Sequence, residues 1–226
     1  MKDKSIIFYT ANKTSDYFFK NVKKQLLKAA NGIPIISVSQ KPIELGKNIC
    51  CGEIGQSQIN IYKQALIGAK KAKTKYIFMA EDDILYHKSH FDYVPTKGKF
   101  AYDRNIWNIY TWTKPLVFSW KGRRNLNGLV CERDLFIEAM EERFSKYNEK
   151  NFPEHLFGEP GKYERQMKVI VRDWEFYYPK EPSIAFSHPT ELSYFGLGRR
   201  KKIGEKVCEK LSPWGLARDI RKIYDK

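Results

Sequence analysis

Short apolar runs, each the length of a buried strand, alternate with stretches of helical period through the first part of the chain. Ser5 to Thr10 (SIIFYT) predicts a buried strand, and Ile33 to Val38 (IPIISV) a second. Between them Phe19, Val22, Leu26 and Leu27 share one face of a helix from about Asp16 to Ala30, with Ser15 or Asp16 placed to cap its free N–H groups and Asn31-Gly32 to end it. A strand-helix-strand order predicts parallel pairing through a right-handed crossover. Residues Lys41 to Gln56 read as loop, punctuated by Pro42, Gly46, Gly52 and Gly55. A helix from Gln58 to Ala72 then leads into a third apolar run, Tyr76 to Met79.

Beyond this point the pattern is less regular. From Phe100 to Trp120 aromatic residues come thickly, as in core and sheet packing, and Asp134 to Phe144 has the pattern of a structural helix. Lys150 to Gly161 is a Pro- and Gly-punctuated loop entering a short helix, Lys162 to Val171, and Ser183 to His188 (SIAFSH) reads as a further strand. After Pro213, residues Trp214, Leu216, Ile220, Ile223 and Tyr224 recur at near-helical spacing beside basic residues, predicting a helix that docks on the domain or lies on an anionic membrane.

The third apolar run ends abruptly in Glu81, Asp82 and Asp83. Neighbouring carboxylates repel one another, and a divalent cation among them relieves that repulsion. Hard oxygen ligands suit Mg or Mn, which take one or two carboxylates and leave other positions to water and phosphate. Open parallel sheets bind ligands beyond the carboxyl ends of their strands, which sets Thr10, Asn12, Ser39, Gln40 and the acidic triplet along one rim. Gly55-Gln56-Ser57-Gln58 opens the second helix, whose free N–H groups and positive dipole end suit a diphosphate or ribose.

The apolar strand ending in a D-x-D-like triplet, preceded by the helix QINIYKQALIGAKKA, resembles the nucleotide-sugar-binding half of a GT-A glycosyltransferase. The resemblance spans roughly Ser5 to Arg200 in its order of elements. It implies an α/β fold, Rossmann-like, with a mostly parallel central sheet flanked by helices, followed by a basic C-terminal helical tail. It further implies an NDP-sugar donor, a UDP-sugar in the first instance, with Mn or Mg as cofactor. In that family the first and last acids contact the ribose and the metal-bridged diphosphate, which assigns Asp83 and Glu81 to the metal, with Glu81 and Asp82 at the nucleotide. The first two strand ends would receive base and ribose, making Thr10, Ala11, Asn12, Ser39 and Gln56 the nucleotide contacts. A third metal ligand from a His after the acceptor-binding part falls on His188; His87 and His90 are weaker candidates, three apart in a Lys-containing loop. An acceptor-activating carboxylate falls on Glu159, Glu164 or Asp173, with Glu175 in reserve.

Charge bears on the acceptor. The 226 residues carry 41 Lys and Arg against 26 Asp and Glu, a formal net charge of +15. Such a protein attracts polyanions: nucleic acid, an anionic membrane face or an acidic glycan. Trp107, Trp112 and Trp120, interleaved with basic residues and followed by Arg123 and Arg124, supply stacking and phosphate contacts of the kind a single-stranded or flipped nucleotide needs, and Arg199 and Arg200 add a second basic cluster. These features point first to DNA bearing 5-hydroxymethylpyrimidines, the substrate of phage DNA glycosyltransferases, and alternatively to a bacterial surface glycan or lipopolysaccharide at the inner membrane. A non-catalytic nucleic-acid-binding module would also explain the charge, but no zinc spacing or recognition-helix motif accompanies it.

Composition bounds the rest. Length predicts one domain over residues 1–200, with residues 1–94 binding the donor and 95–200 the acceptor, and a basic tail over 201–226. An apolar content of 42%, a mean hydropathy of −0.58 and the lack of any long apolar run predict no membrane span. The opening MKDKSIIFYT has too short an apolar stretch for a signal peptide, and Cys50, Cys51, Cys131 and Cys208 form no C-x-x-C pair, which together predict a reducing, cytoplasmic setting.

Overall fold

The computed structural model describes residues 3–148, 150–153, 158–188 and 204–224. In chain order its elements are β1 (Lys4–Thr10), α1 (Asp16–Ala30), β2 (Ile35–Ser39), β3 (Lys47–Cys50), α2 (Gln58–Lys71), β4 (Tyr76–Glu81), β5 (Ile84–Leu85), β6 (Phe100–Asp103), β7 (Ile106–Tyr110), β8 (Phe118–Trp120), β9 (Leu129–Glu132), α3 (Arg133–Lys146), α4 (Glu164–Met167), β10 (Trp174–Tyr177), β11 (Ser183–Ser187), β12 (Lys206–Cys208), β13 (Lys210–Leu211), β14 (Gly215–Leu216) and α5 (Ala217–Arg221).

The central sheet has seven strands in the order β10-β6-β9-β4-β1-β2-β3. Only β9 runs against its neighbours; β3, β2, β1 and β4 are mutually parallel, as are β6 and β10. Alternation along β1 sorts its side chains between two cores. Ile7 and Tyr9 face α2 and α3 with Ala65, Ala69, Phe136 and Met140, while Ile6 and Phe8 face α1 with Leu26, Ala29 and Ala30. This is a mixed α/β fold with a largely parallel sheet flanked by helices, the Rossmann-like arrangement of a GT-A fold.

Helix α1 begins where its cap requires. Ser15 Oγ accepts from Phe18 N at 3.3 Å, and Asn31 in the left-handed region closes the C-terminus. Its buried face runs through Phe18, Val22 and Leu26, with Phe19 half-buried against Phe8, because a second layer of structure covers Phe18 and Val22; Leu27 is off that face, 48% exposed. That layer is a five-stranded sheet, β12-β8-β7-β11-β5, which packs Ile109, Phe118, Ile184 and Phe186 onto α1.

Several expected elements differ. The second strand starts at Ile35, after Pro34, and the loop expected over residues 41–56 contains β3. The helix expected over residues 162–171 is a single turn, Glu164–Met167, stopped by Lys168 in the left-handed region. The C-terminal helix expected after Pro213 is short, and the tail before it, expected to be helical, forms strands. Strand β12 pairs antiparallel with β8, β13 pairs with β14, and only Ala217–Arg221 is helical. Its apolar side chains are covered by the domain: Ala217 and Ile220 are buried, Tyr224 meets Phe18 edge-on at 5.0 Å, and Trp214 Nε1 donates to Pro182 O at 2.8 Å. These contacts turn the apolar residues of 214–224 toward the domain, with Trp214, Leu216, Ile223 and Tyr224 half-buried. No helix among the described residues is long and apolar enough to cross a membrane.

Candidate active site

The acidic triplet is a joint between the two sheets. Strand β4 ends at Glu81 and β5 begins at Ile84, so Asp82 and Asp83 form a two-residue link from the central sheet to the second one, as Arg104 and Asn105 do between β6 and β7. Each acid is held differently. Glu81 accepts from the Tyr9 hydroxyl at 2.8 Å and from Asn127 Nδ2 at 3.1 Å. Asp82 accepts from the Thr10 hydroxyl at 2.5 Å and from Thr14 at 3.2 Å. Burial pushes the Asp82 carboxyl above its usual range, against the pull of these two hydroxyls in the opposite direction. Asp83 is pinned through its backbone, Phe186 N donating to its carbonyl at 2.8 Å, and its Oδ2 lies 3.8 Å from His188 Nε2. The β11 strand that carries His188 thus meets the acidic turn directly.

These groups open into a cleft of about 540 Å³. Its walls follow the strand order of the central sheet: Thr10, Ala11, Lys13 and Thr14 beyond β1, Gln56 and Ser57 at the start of α2, the three acids at the end of β4, and Arg104 beyond β6. Lys121, Arg123 and Asn127, Glu159, and Ser187 with His188 complete it. Ser57 caps α2, accepting from Asn60 N at 3.3 Å, which leaves the helix start facing the cleft. Thr10, Ala11, Gln56, Glu81, Asp82, Asp83, Arg123, Glu159 and His188 therefore line one space.

Other expected site residues have structural positions. Asn12, in the left-handed region, accepts from Gln40 N and Lys41 N, both at 2.9 Å, and staples two loops; Ser39 is buried and accepts from Asn48 Nδ2 at 2.9 Å. Glu164 is buried against Arg143 at 3.3 Å and accepts from the backbone N–H groups of Gly161 and Arg172, so its lone pairs serve the fold. Asp173 is exposed at the start of β10, outside the cleft, and Glu175 accepts from Tyr93 and Thr96. His90 is buried beside Asp103 at 2.7 Å, and His87 caps a short helical turn through Ser89 N.

The aromatic and basic segment is likewise occupied. Trp107 Nε1 donates to Asn105 at 3.2 Å, Trp120 Nε1 donates to Arg104 O at 2.7 Å, and Trp112 meets Tyr110 edge-on at 5.5 Å. Arg124 donates to Gly161 O and stacks over Trp174 at 4.1 Å. Arg199 and Arg200 lie outside the described residues.

Four side chains join the site without a sequence signal of their own. Tyr9 and Asn127 orient Glu81, Gln64 reaches from α2 to Thr10 O at 2.8 Å and Val38 O at 3.1 Å, and Arg104 enters the cleft from the end of β6. Each is placed by a contact between distant segments. For a metal, Asp83 and His188 offer one oxygen and one nitrogen ligand, a donor set that fits Mn better than Mg when a diphosphate and water supply the other positions. No group of three or more ligating side chains is present among the described residues.

No protein-family model matches the sequence, and no curated protein matches it. Solved structures resemble it in fold. A glycosyltransferase involved in the glycosylation of the major capsid of PBCV-1 is 11% identical, with 80% of this chain and 92% of that one covered and a TM-score of 0.46. S. aureus TarS 1-349 in complex with UDP-GlcNAc is 11% identical over 84% of this chain and 60% of that one, with a TM-score of 0.44. The bifunctional IspDF from Campylobacter jejuni is 10% identical over 79% of this chain and 50% of that one, with a TM-score of 0.41.

Proposed function

We propose that the protein is a metal-dependent glycosyltransferase that moves a sugar from an NDP-sugar to an acceptor hydroxyl. The observation that carries this reading is the joint between the sheets, where Glu81, Asp82, Asp83 and His188 meet the start of α2 in one cleft. The nucleotide would lie over the ends of β1 and β2, against Thr10, Ala11 and Gln56, with its ribose toward Glu81 and Asp82. Asp83 and His188 would hold the divalent cation, which supplies positive charge to the leaving diphosphate.

The chain's own groups account for the remaining steps. Glu159 is the one candidate base of the sequence set that lines the cleft, where Lys162 approaches its Oε2 at 3.2 Å. Its carboxylate takes the acceptor hydroxyl's proton as that oxygen bonds to the anomeric carbon. The bond from that carbon to the diphosphate breaks, and its electron pair leaves on the phosphate oxygen. Charge on the anomeric centre in the transition state resembles that of glycoside hydrolysis. The free N–H groups at the start of α2 favour the anionic leaving group.

A glycan acceptor is favoured by the state of the tryptophans. The Trp120 ring already carries Arg104 at 5.5 Å and Lys206 at 5.0 Å, Trp112 meets Tyr110 edge-on at 5.5 Å, and Arg124 is stacked on Trp174, so rings that base stacking would use are engaged by the protein. The net charge of +15 favours the second reading, a 5-hydroxymethylpyrimidine in DNA. An intact-mass assay decides between them: NDP-sugars are offered with Mn to a panel of bacterial surface glycans and to oligonucleotides carrying 5-hydroxymethylcytosine or 5-hydroxymethyluracil. Mass gain on a glycan alone is the expected result. Gain on the oligonucleotide replaces the acceptor, and a protein that neither binds nor hydrolyses any NDP-sugar is not a glycosyltransferase.

A further inference from the structure

The wall of the cleft farthest from the proposed nucleotide position carries Arg104, Lys121 and Arg123 beside the carboxylates of Asp103 and Glu159, and Arg104 is built in rather than left on the surface. Arg104 follows β6 directly. Its N–H donates to Tyr177 O at 2.9 Å, and its carbonyl accepts from Trp120 Nε1 at 2.7 Å, so the backbone is fixed on both sides. The guanidinium lies between two rings, 4.4 Å from the centroid of Phe176 and 5.5 Å from that of Trp120. Stacking of this kind orients a guanidinium while leaving its in-plane donors unspent. Arg104 Nε is buried, has no acceptor among the described residues, and belongs to a residue that lines the cleft.

Two more cations border the same wall. Lys121 and Arg123 line the cleft from the loop after β8, and Arg123 is exposed. Gly122 between them has φ +54°, and a Cβ there would stand 2.5 Å from the Trp120 ring and 2.8 Å from Arg104 Nε. The turn that presents Lys121 and Arg123 is therefore folded tightly against the ring that holds Arg104. In the strand order, β9 separates β6 from β4, which puts Arg104 roughly 10 Å from the acids at ordinary strand spacing. The nucleotide side, β1 and β2, lies in the opposite direction from β4.

We infer that Arg104, Lys121 and Arg123 form an oxyanion subsite on the acceptor side of the cleft, which recognises a phosphate or carboxylate carried by the acceptor glycan. This rests on the glycosyltransferase reading and narrows its acceptor to an acidic glycan. A guanidinium with free donors prefers such oxyanions because both present two parallel acceptor oxygens. The cluster is three cations at one end of the cleft, which suits one anionic group per sugar unit and not the row of phosphates that a nucleic acid presents along an open groove.

The probe is inorganic phosphate, titrated by calorimetry into the full chain already saturated with UDP and Mg. One phosphate should bind, with affinity falling about tenfold or more in Arg104→Lys and in Arg123→Gln, while UDP affinity is the same in all three proteins. Arg123 is exposed, so its variant keeps the test sound even where Arg104→Lys disturbs packing. Exclusion of phosphate by UDP, or loss of UDP affinity in the variants, would reassign the cations to the donor diphosphate and overturn the inference. Phosphate binding indifferent to both substitutions would mean an adventitious ion only. Displacement of phosphate by a single-stranded oligonucleotide with a steep salt dependence would replace the glycan with nucleic acid. Absence of UDP binding to the unaltered protein would remove the glycosyltransferase reading separately, whatever phosphate does.

Discussion

At the scale of single residues, the acids of the site are visible in sequence because charge interrupts an apolar run that has no other reason to stop. The groups that orient them are not visible. Tyr9 and Glu81 are 72 residues apart, and Asn127 and Glu81 are 46 apart, so only the sheet register brings them together. Tyr9→Phe removes a buried donor to a carboxylate and should cost about 1.5–3 kcal/mol of unfolding free energy in a urea titration. Asp83→Asn and His188→Ala should each weaken Mn-dependent nucleotide binding by about tenfold or more, with far-ultraviolet circular dichroism unchanged. Unaltered Mn-dependent affinity in both variants would dismiss the proposed metal pair. Glu164 shows the converse limit of sequence reading. It stands in the right loop for a base, yet its pairing with buried Arg143 is set by α3, a remote element that no local pattern reveals.

At the scale of elements, legibility followed continuity. Helix α1 was readable to its ends because capping and period are local, whereas its buried face shifted to Phe18 once the second sheet was present. That sheet draws β5, β7, β8, β11 and β12 from separated parts of the chain, and no local signal announces such a sheet. Gly68 illustrates an element decided by packing. Alanine would improve α2 by about 1 kcal/mol in propensity. A Cβ there would stand 2.4 Å from Ile7 Cγ2 in β1, and overpacking of that kind costs about 1–3 kcal/mol. Gly68→Ala should therefore lower the urea midpoint. At the sheet edge, burial alone would raise the Glu175 carboxyl, but donors from Thr96 and Tyr93 outweigh it and hold it below its usual range. A depressed carboxyl contributes stability above its unfolded pKa and loses it as pH falls through the folded value. The stability difference between the protein and Glu175→Gln should accordingly be full at neutral pH and shrink from about pH 5 downward, as read by unfolding titrations across that range.

At the scale of the whole molecule, a net charge of +15 is a fact of composition that says little about where partners bind, and the cleft-side placement of Arg104, Lys121 and Arg123 is more informative. The tail carries the same lesson. Its apolar spacing reads as a surface helix, but the residues are claimed by α1 and the second sheet. Trp214→Ala should therefore cost about 1–3 kcal/mol of stability, through lost packing and the bond to Pro182, and leave sedimentation with anionic vesicles unchanged. The two-residue link from β4 to β5 has a further consequence, for descent. Side chains at positions 82 and 83 can be exchanged one at a time as lineages diverge. A gained or lost residue there would slide β5 against β11 and turn Asp83 away from His188 in a single event.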